Sequence, residues 1–294
     1  MPRYVELMLA AMAPIIWGST YIVTTQLLPQ GYPLTASVLR ALPAGLLLLV
    51  VTRQLPPRAW LGRIAVLGAL NFAIFWAALF VAAYRLPGGV AATVGSIQPL
   101  LVLVLAHLVL AAPLRLLSVT AALAGLVGVA LLVLQADAGL DLSGIVAAQI
   151  GALSMAFGVV LTRKWQPPVP ALTFTAWQLT AGGLILLPVA LWAEPSLPVL
   201  DARNIAGFLW LGLFGAALTY YLWFRAIARL GPAAVTGLGF LSPLTAVLLG
   251  WALLGQTLTP QQTLGALIVL ISIWLGGRAS RPDPSPSPVP GGKD

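Results

Sequence analysis

A few polar and aromatic side chains interrupt the long apolar stretches of this chain, and their types suit the binding of a small solute. Asn71 and Phe75 are four residues apart, on one face of a predicted helix, and Trp76 lies beside them. Tyr220 and Tyr221 form a second such group. A stacked aromatic pair contributes about 0.5–1.5 kcal/mol. These residues predict an aromatic-walled pocket for a neutral or apolar solute; the alternative is a belt of rings at a membrane interface.

Two glycine–proline pairs predict interruptions within helices. Gly95 and Pro99 have the same spacing as Gly239 and Pro243. Proline removes a helical hydrogen bond and clashes with the preceding turn, so each pair predicts a hinge or gate. Static kinks with close packing at glycine are the alternative. The polar side chains beside the freed carbonyls, also candidates for solute binding, are Ser96, Gln98 and Ser242.

Three further side chains complete the candidate site. Trp17 and Phe157 occupy matching positions, each followed by glycine, in an internal repeat described below. Arg40 lies about two turns inside an apolar stretch. A cation at this depth predicts either a contact with an anion or a residue that holds a gate closed. The alternative for Arg40 is a side chain that extends outward to water or binds helix carbonyls.

The groups that would support catalysis are missing from the apolar stretches. Glu6 stands only at the start of the first stretch, His107 is the single histidine, and the chain has neither cysteine nor a Walker A phosphate loop. An enzyme acting on a lipid-linked substrate in a membrane would need an acid–base pair or a metal site. We therefore predict no enzymatic activity, no cofactor and no bound metal, and keep the membrane enzyme as an alternative.

Composition places these side chains on membrane-spanning helices. Of the 294 residues only 7% are charged and 60% are hydrophobic, with a mean hydropathy of +0.99, whereas soluble domains carry about 25% charged residues. A span needs about 20 apolar residues. The sequence predicts an all-α membrane protein with ten transmembrane helices, at residues 5–27, 34–52, 62–84, 88–110, 116–134, 142–163, 170–192, 204–226, 232–254 and 260–277.

The basic residues predict the orientation of the chain. If the N-terminus is cytoplasmic, 12 of the 15 Lys and Arg residues fall on the cytoplasmic side and 2 on the other, while Arg40 lies inside a span. This positive-inside bias predicts a bacterial-type inner membrane protein with both termini cytoplasmic. It also explains the basic balance without nucleic acid as a partner. Membrane lipids and a small-molecule substrate are the expected partners; the oligomeric state is left open.

Two halves of the chain resemble each other. Without gaps, residues 80–100 align with residues 224–244, so that Arg85-Leu86 matches Arg229-Leu230 and the two glycine–proline pairs coincide. Five spans are an odd number, so the second half must be inverted, as in many secondary transporters. The predicted units are residues 1–136 and 137–277, and the Pro- and Ser-rich residues 278–294 are predicted to be a disordered cytoplasmic tail.

At these residues the chain resembles the EamA-type drug/metabolite transporter superfamily. The resemblance is carried by A-P-I-I-W-G-S in span 1, R-L-P-G-G-V-A-A-T-V-G-S-I-Q-P-L across spans 3 and 4, and R-L-G-P-A-A-V-T-G-L-G-F-L-S-P-L across spans 8 and 9. It implies that spans 3, 4, 8 and 9 line a central cavity, that spans 1, 2, 6 and 7 gate it, and that spans 5 and 10 form a scaffold.

The resemblance also implies a function. Members mostly move small organic solutes, often outward from the cytoplasm, and within the superfamily the chain is similar to the YddG-type exporters of aromatic amino acids. We expect neutral, foremost aromatic, amino acids as substrates, with other small organic solutes or drugs as the alternative. Because no proton relay is visible in the sequence, the solute gradient itself is the expected driving force.

Overall fold

A computed structural model of the protein describes residues 2–86, 88–134 and 141–279. Within these ranges the chain is almost entirely helical, and ten helices are long and apolar enough to cross a membrane, which confirms the predicted number. Of the predicted tail, residues 278–294, Arg278 and Ala279 form the end of the last helix instead, and residues 280–294 lie outside the described part. The helices, numbered here as spans 1 to 10, are Arg3–Leu27, Pro33–Thr52, Arg58–Leu79, Ala92–Leu110, Leu116–Val133, Leu142–Lys164, Ala171–Ala193, Ala202–Leu230, Pro232–Leu254 and Pro260–Ala279.

Contacts at the helix ends fix the directions in which the spans run. The indole nitrogen of Trp177, near the start of span 7, donates to the carbonyl of Gln54, after span 2, at 2.7 Å. At the other end, Glu194, after span 7, accepts from the backbone N–H of Leu34, at the start of span 2, at 2.6 Å. Spans 2 and 7 are therefore antiparallel. We call the face at which span 1 begins the inner face and the opposite face the outer face.

The spans pack in a pattern that persists when each of spans 1 to 5 is exchanged with the span five places later. Span 1 packs against spans 8 and 9, and span 6 packs against spans 3 and 4. Span 2 packs along span 7, and span 5 packs along span 10. This reciprocity is the arrangement expected from two related five-span halves.

Two of these pairs are packed backbone to backbone at glycine. A Cβ atom on Gly45 of span 2 would lie 2.5 Å from the backbone nitrogen of Thr180 in span 7. A Cβ atom on Gly265 of span 10 would lie 2.6 Å from the backbone nitrogen of Leu132 in span 5. Any larger residue would force the helices apart, so glycine allows these two pairs to approach closely.

Spans 4 and 9 are interrupted near the two predicted hinges. The α-helix leading into span 4 ends at Gly95 and resumes at Gln98, directly before Pro99. In span 9 a 3-10 stretch, Thr236–Phe240, separates two α-helical parts and ends shortly before Pro243. A proline cannot donate to the carbonyl four residues earlier, so each helix loses a bond at this point.

Candidate functional site

Six aromatic rings meet between spans 1, 3 and 8 near the middle of the protein. Tyr220 is the centre of this group: its ring centroid lies 5.0 Å from that of Trp17, 4.7 Å from that of Phe72 and 6.3 Å from that of Trp76. Most pairs are tilted or edge-to-face, the geometry that aromatic quadrupoles favour. We call the group the aromatic cluster; its members are Trp17, Phe72, Trp76, Tyr220, Trp223 and Phe224.

The aromatic cluster is packed shut. Phe72, Trp76, Tyr220, Trp223 and Phe224 each expose 3% of their surface or less. The predicted ring residues Trp76 and Tyr220 therefore contact protein in this conformation, and neither faces the lipid. A solute reaches their faces only after the rings separate.

Wide π-helical turns bring backbone carbonyls into this region. Span 8 contains such a stretch at Trp210–Leu218, and span 3 contains one at Ala69–Ala73. The carbonyl of Gly215 accepts from the indole N–H of Trp17 at 3.2 Å and from the guanidinium of Arg40 at 2.7 Å. In span 3 the carbonyl of Leu70 accepts from the Ser154 hydroxyl of span 6 at 2.8 Å. The π-turns therefore serve as attachment points for the neighbouring spans.

Arg40 lies at the outer side of the aromatic cluster. Its guanidinium carbon is 5.2 Å from the centre of the Trp76 ring, within cation–π range. Among the residues that the structure describes, no carboxylate forms an ion pair with Arg40, and its Nε atom is buried without a hydrogen-bond partner. This guanidinium binds the Gly215 carbonyl instead of extending toward water. It has a spare donor for a further acceptor.

A buried amide cluster lies toward the inner side. Asn71 is fully buried, and its side-chain N–H group donates to Thr162 at 3.1 Å and to the Oε1 atom of Gln178 at 2.8 Å. The Thr162 hydroxyl also donates to that Oε1 atom, at 3.2 Å. These bonds join spans 3, 6 and 7. A Cβ atom on Gly158 would lie 2.2 Å from the Asn71 amide oxygen, so glycine makes room for the cluster.

A cavity of about 440 Å³ lies at the inner ends of spans 6, 7 and 8. Tyr221 and Phe224 form part of its wall, together with Phe174 of span 7. Phe224 also belongs to the aromatic cluster, and Thr162 of the amide cluster lines the cavity as well. The cavity therefore borders the aromatic cluster and the amide cluster, which contain the predicted residues Tyr220 and Asn71. We call it the inner cavity.

Hydrogen bonds at the outer face join span 7 to span 2 and span 8 to span 1. Both carboxylate oxygens of Glu194 accept backbone N–H groups at the start of span 2, from Leu34 at 2.6 Å and Thr35 at 2.7 Å. The Asn204 amide, at the start of span 8, donates to the Leu27 carbonyl at the end of span 1 at 2.9 Å. In this conformation spans 1 and 8 and spans 2 and 7 are thus joined at the outer face, and the inner cavity lies at the inner face.

The other predicted residues lie at more peripheral positions. Phe75 and Phe157 are half-buried and lie outside the aromatic cluster. Ser96 and Gln98 are half-buried at the break in span 4, and the Ser96 hydroxyl donates to the Ala92 carbonyl at 2.7 Å. Ser242 is half-buried in span 9, where its carbonyl would lie 2.6 Å from a Cβ atom on Gly18 of span 1.

The glycines at the predicted hinges stand in open space. A Cβ atom on Gly95 or on Gly239 would meet nothing within 4 Å. Close packing therefore does not explain these glycines, and backbone freedom beside Pro99 and Pro243 remains the physical reason for them. Their role as hinges stays a prediction.

Gly95→Ala is expected to slow turnover about fivefold with little change in solute affinity. Alanine favours the helix over glycine by about 1 kcal/mol and finds room for its methyl group here, so it stiffens the break. The rate and KM of transport in vesicles measure the effect. Gly62→Ala, at a glycine of span 3 that also faces open space, is the matched control. A changed KM at constant rate would rule out the hinge.

Sequence analysis named Glu6 only as an acid at the start of span 1 and assigned it no functional role. This residue stands one turn inside span 1 and is only 3% exposed, and its carboxylate accepts from Arg225 at 2.8 Å and also from Arg229. The signal was available, because an acid in an apolar helix needs a partner and two arginines four residues apart share one face of span 8.

Comparison with known proteins identifies relatives over nearly the whole chain. The sequence model of the EamA-like transporter family matches twice, at residues 5–134 and 142–277. The chain is 46% identical to Protein PecM of Dickeya dadantii over 280 residues, 92% of this chain and 94% of that protein. It is 31% identical to the uncharacterized inner membrane transporter YedA of Escherichia coli over 273 residues, 89% of this chain and 87% of that one.

A solved crystal structure has the same fold. It superimposes with a TM-score of 0.80 at 19% sequence identity, covering 93% of this chain and 96% of that chain. At this identity the likeness extends to the fold alone. It shows that the arrangement of ten helices described here is one that has been observed experimentally.

Proposed function

The chain belongs to the EamA-like transporter family, and from this membership we propose that it exports neutral amino acids, foremost aromatic ones, by alternating access. That it is a multi-pass membrane transporter of small molecules follows from the family and the ten spans. The observation that carries the finer proposal is the inner cavity, which borders the aromatic cluster at Phe224. A solute that enters this cavity from the inner face reaches a wall that contains the rings of Tyr221, Phe174 and Phe224.

The size and chemistry of the inner cavity support an amino acid. A volume of about 440 Å³ lies within the range of small-molecule sites. Tyr221 offers a ring face, the nearly buried rings of Phe174 and Phe224 form part of the wall, and Gln166 offers hydrogen bonds for polar groups. An aromatic amino acid combines one ring with two small charged groups, and this wall suits both parts.

We further propose that the transporter consists of two inverted halves, residues 1–136 and 137–277, in a bacterial inner membrane with both termini cytoplasmic. The reciprocal packing of spans and the two family matches support the halves. The charge bias supports the orientation, and the description of the relative YedA as an inner membrane transporter supports the location. In this orientation the inner cavity faces the cytoplasm, as an exporter requires.

Exchange in proteoliposomes tests the proposed substrate. Purified protein is reconstituted and loaded with unlabelled phenylalanine or tryptophan, and the uptake of labelled amino acid is followed with and without a pH gradient. We expect exchange above empty vesicles, unchanged by the gradient. Exchange of none of the twenty amino acids would overturn the substrate assignment. A small organic solute or drug would then be the second candidate, because the names PecM and YedA specify no solute.

Tyr221→Ala is expected to raise the KM for an aromatic amino acid about two- to tenfold, because it removes one ring contact from the inner cavity. Trp76→Ala is expected to impair transport more than membrane expression. Uptake kinetics normalised to the amount of protein provide the measurement. Tyr4→Ala and Trp192→Ala are matched controls, since these rings are 65% and 88% exposed. Normal transport by both test variants would contradict the assignment of the pocket.

A further inference from the structure

The carboxylate of Glu6 is held between two arginines of another span. Its side chain is 4% exposed, while those of Arg225 and Arg229 are 18% and 52% exposed. A carboxylate taken out of water is costly unless it is paired, so these contacts fix span 1 to span 8 at the inner face.

The two arginines also belong to the inner cavity. Arg225 and Arg229 both line it, beside Tyr221 and Phe224. One carboxylate therefore faces two guanidinium groups at the cavity wall. A third guanidinium, that of Arg163, donates to the carbonyl of Ala228, another lining residue. The polar end of the cavity thus has an excess of positive charge, and its other walls are rings and aliphatic groups.

Both guanidinium contacts converge on one oxygen. Arg225 and Arg229 donate to the same Oε1 atom of Glu6. Arginine presents five donors and favours two-point contact with a carboxylate, so a second acid that enters the cavity can compete with Glu6 for these two guanidinium groups. The exposed part of Arg229 is the side from which such an acid can approach.

We propose that Glu6 is an internal stand-in for the carboxylate of the solute. A monocarboxylate with an apolar ring enters the inner cavity, places its ring against Tyr221 and Phe224, and takes Arg225 and Arg229 from Glu6. Span 1 is thereby released from span 8 at the inner face, so that binding of the solute is coupled to the loosening of the helices around it.

This inference rests on the proposed function only in that the inner cavity admits a small solute. It adds that the protein recognises the solute mainly by its carboxylate and that the ring contributes less to recognition. A solute without an acidic group leaves the Glu6 contacts intact and binds weakly. The coupling is reciprocal, because whatever weakens the hold of Glu6 on the arginines strengthens the binding of the acid.

Calorimetric titration of the purified, detergent-solubilised protein tests this on the unmodified chain. The probes are 3-phenylpropionate and 3-phenyl-1-propanol, which share the ring and the linker and differ in the acid. We expect the acid to bind at least about tenfold more tightly than the alcohol. Equal binding of the two, or tighter binding of the alcohol, would overturn the proposal.

Glu6→Gln separates a stand-in from a purely structural ion pair. The glutamine keeps the shape but competes poorly for the arginines, so 3-phenylpropionate is expected to bind about tenfold more tightly than to the unmodified protein. Asp201→Asn is the charge-matched control: it removes one carboxylate at the outer end of span 8, retains a capping side chain, and is expected to leave probe binding unchanged. Unchanged or weaker binding in Glu6→Gln contradicts the proposal.

The two proposals fail in different ways. Acid-selective binding that tightens in Glu6→Gln, together with an absence of amino acid exchange in vesicles, would leave the stand-in intact and remove the proposed substrate. Phenylalanine exchange that depends on Tyr221, together with a Glu6→Gln variant whose binding is unaltered, would do the reverse. Thermal unfolding of each variant in detergent verifies that it is folded.

Discussion

Arg40→Met is expected to raise the KM for solute at the inner face about three- to tenfold while leaving the protein folded. Arg40 and Trp17 hold the Gly215 carbonyl, on the outer side of the aromatic cluster. A hydrogen bond from a charged donor contributes about 1.5–3 kcal/mol. Its loss disfavours the state in which the outer ends of the spans are joined. Because the solute binds this state from the inner face, a smaller fraction of the protein can bind it, and the KM rises.

The folded state is expected to tolerate this change. The structure shows no carboxylate partner for Arg40 within its described ranges, so the substitution removes a buried cation without leaving an opposite charge behind. The thermal midpoint in detergent should therefore be unchanged or higher. A lower midpoint together with a normal KM would mean that Arg40 contributes to stability alone.

The opening of the outer face can be measured directly because the chain has no cysteine. Leu211 of span 8 is 3% exposed near that face, so a Leu211→Cys probe reacts with an impermeant maleimide only when the outer ends separate. Adding Arg40→Met is expected to speed labelling about three- to tenfold, because the same loss of about 1.5–3 kcal/mol is shared between a larger open population and a smaller closed one. Arg63→Met is the matched control, since Arg63 stacks on Trp60 at 5.0 Å, near the inner face. Equal labelling rates with and without Arg40→Met would exclude a role for Arg40 in holding the outer face closed.

Asn71→Leu is expected to destabilise the protein by about 1–3 kcal/mol, the cost of leaving buried polar partners unpaired. Leucine has nearly the shape of asparagine, so the substitution removes polarity and changes packing little. It deprives Gln178 of its hydrogen bond from span 3 and leaves the Gln178 amide oxygen bonded only to Thr162 of span 6. The thermal midpoint of the detergent-solubilised protein should fall by several degrees.

Gln149→Leu supplies the comparison. Gln149 is also an amide within a span, but its side chain is exposed on the outside of the helix bundle. Replacing an exposed amide by leucine on a lipid-facing surface should leave the midpoint unchanged or raise it. If both substitutions lower the midpoint equally, or if Asn71→Leu lowers nothing, the amide cluster does not join the spans in the way described.

Periodicity and charge were sufficient to predict the ten spans, because a bilayer demands long apolar helices wherever they occur. The breaks next to Pro99 and Pro243 were also predictable, since proline acts locally. The π-turn at Ala69–Ala73 was not, because the letters A-L-N-F-A contain no residue that demands a wider turn. Packing against span 6 accompanies it, and such packing is not written in the local sequence.

The site was predictable by residue type and not by arrangement. The rings of Trp76 and Tyr220 were expected around a pocket, but their mutual contact closes the space between them. Glu6 was placed at the entrance of span 1, and the structure buries it against span 8. A contact between residues more than 200 positions apart depends on the order in which the helices pack, which one sequence does not reveal.

The glycine contacts determine how the bundle can move. Spans 2 and 7 touch backbone to backbone at Gly45, and spans 5 and 10 do so at Gly265, so the two proposed halves are pinned together at two separate places. The first pair borders spans 3 and 8, and the second borders spans 4 and 9. Two bodies that are fixed to each other at two points can only rotate about the line through both points. If the proposed halves move in this way, both glycine contacts persist throughout transport, and a tilt about that line that narrows one face widens the other.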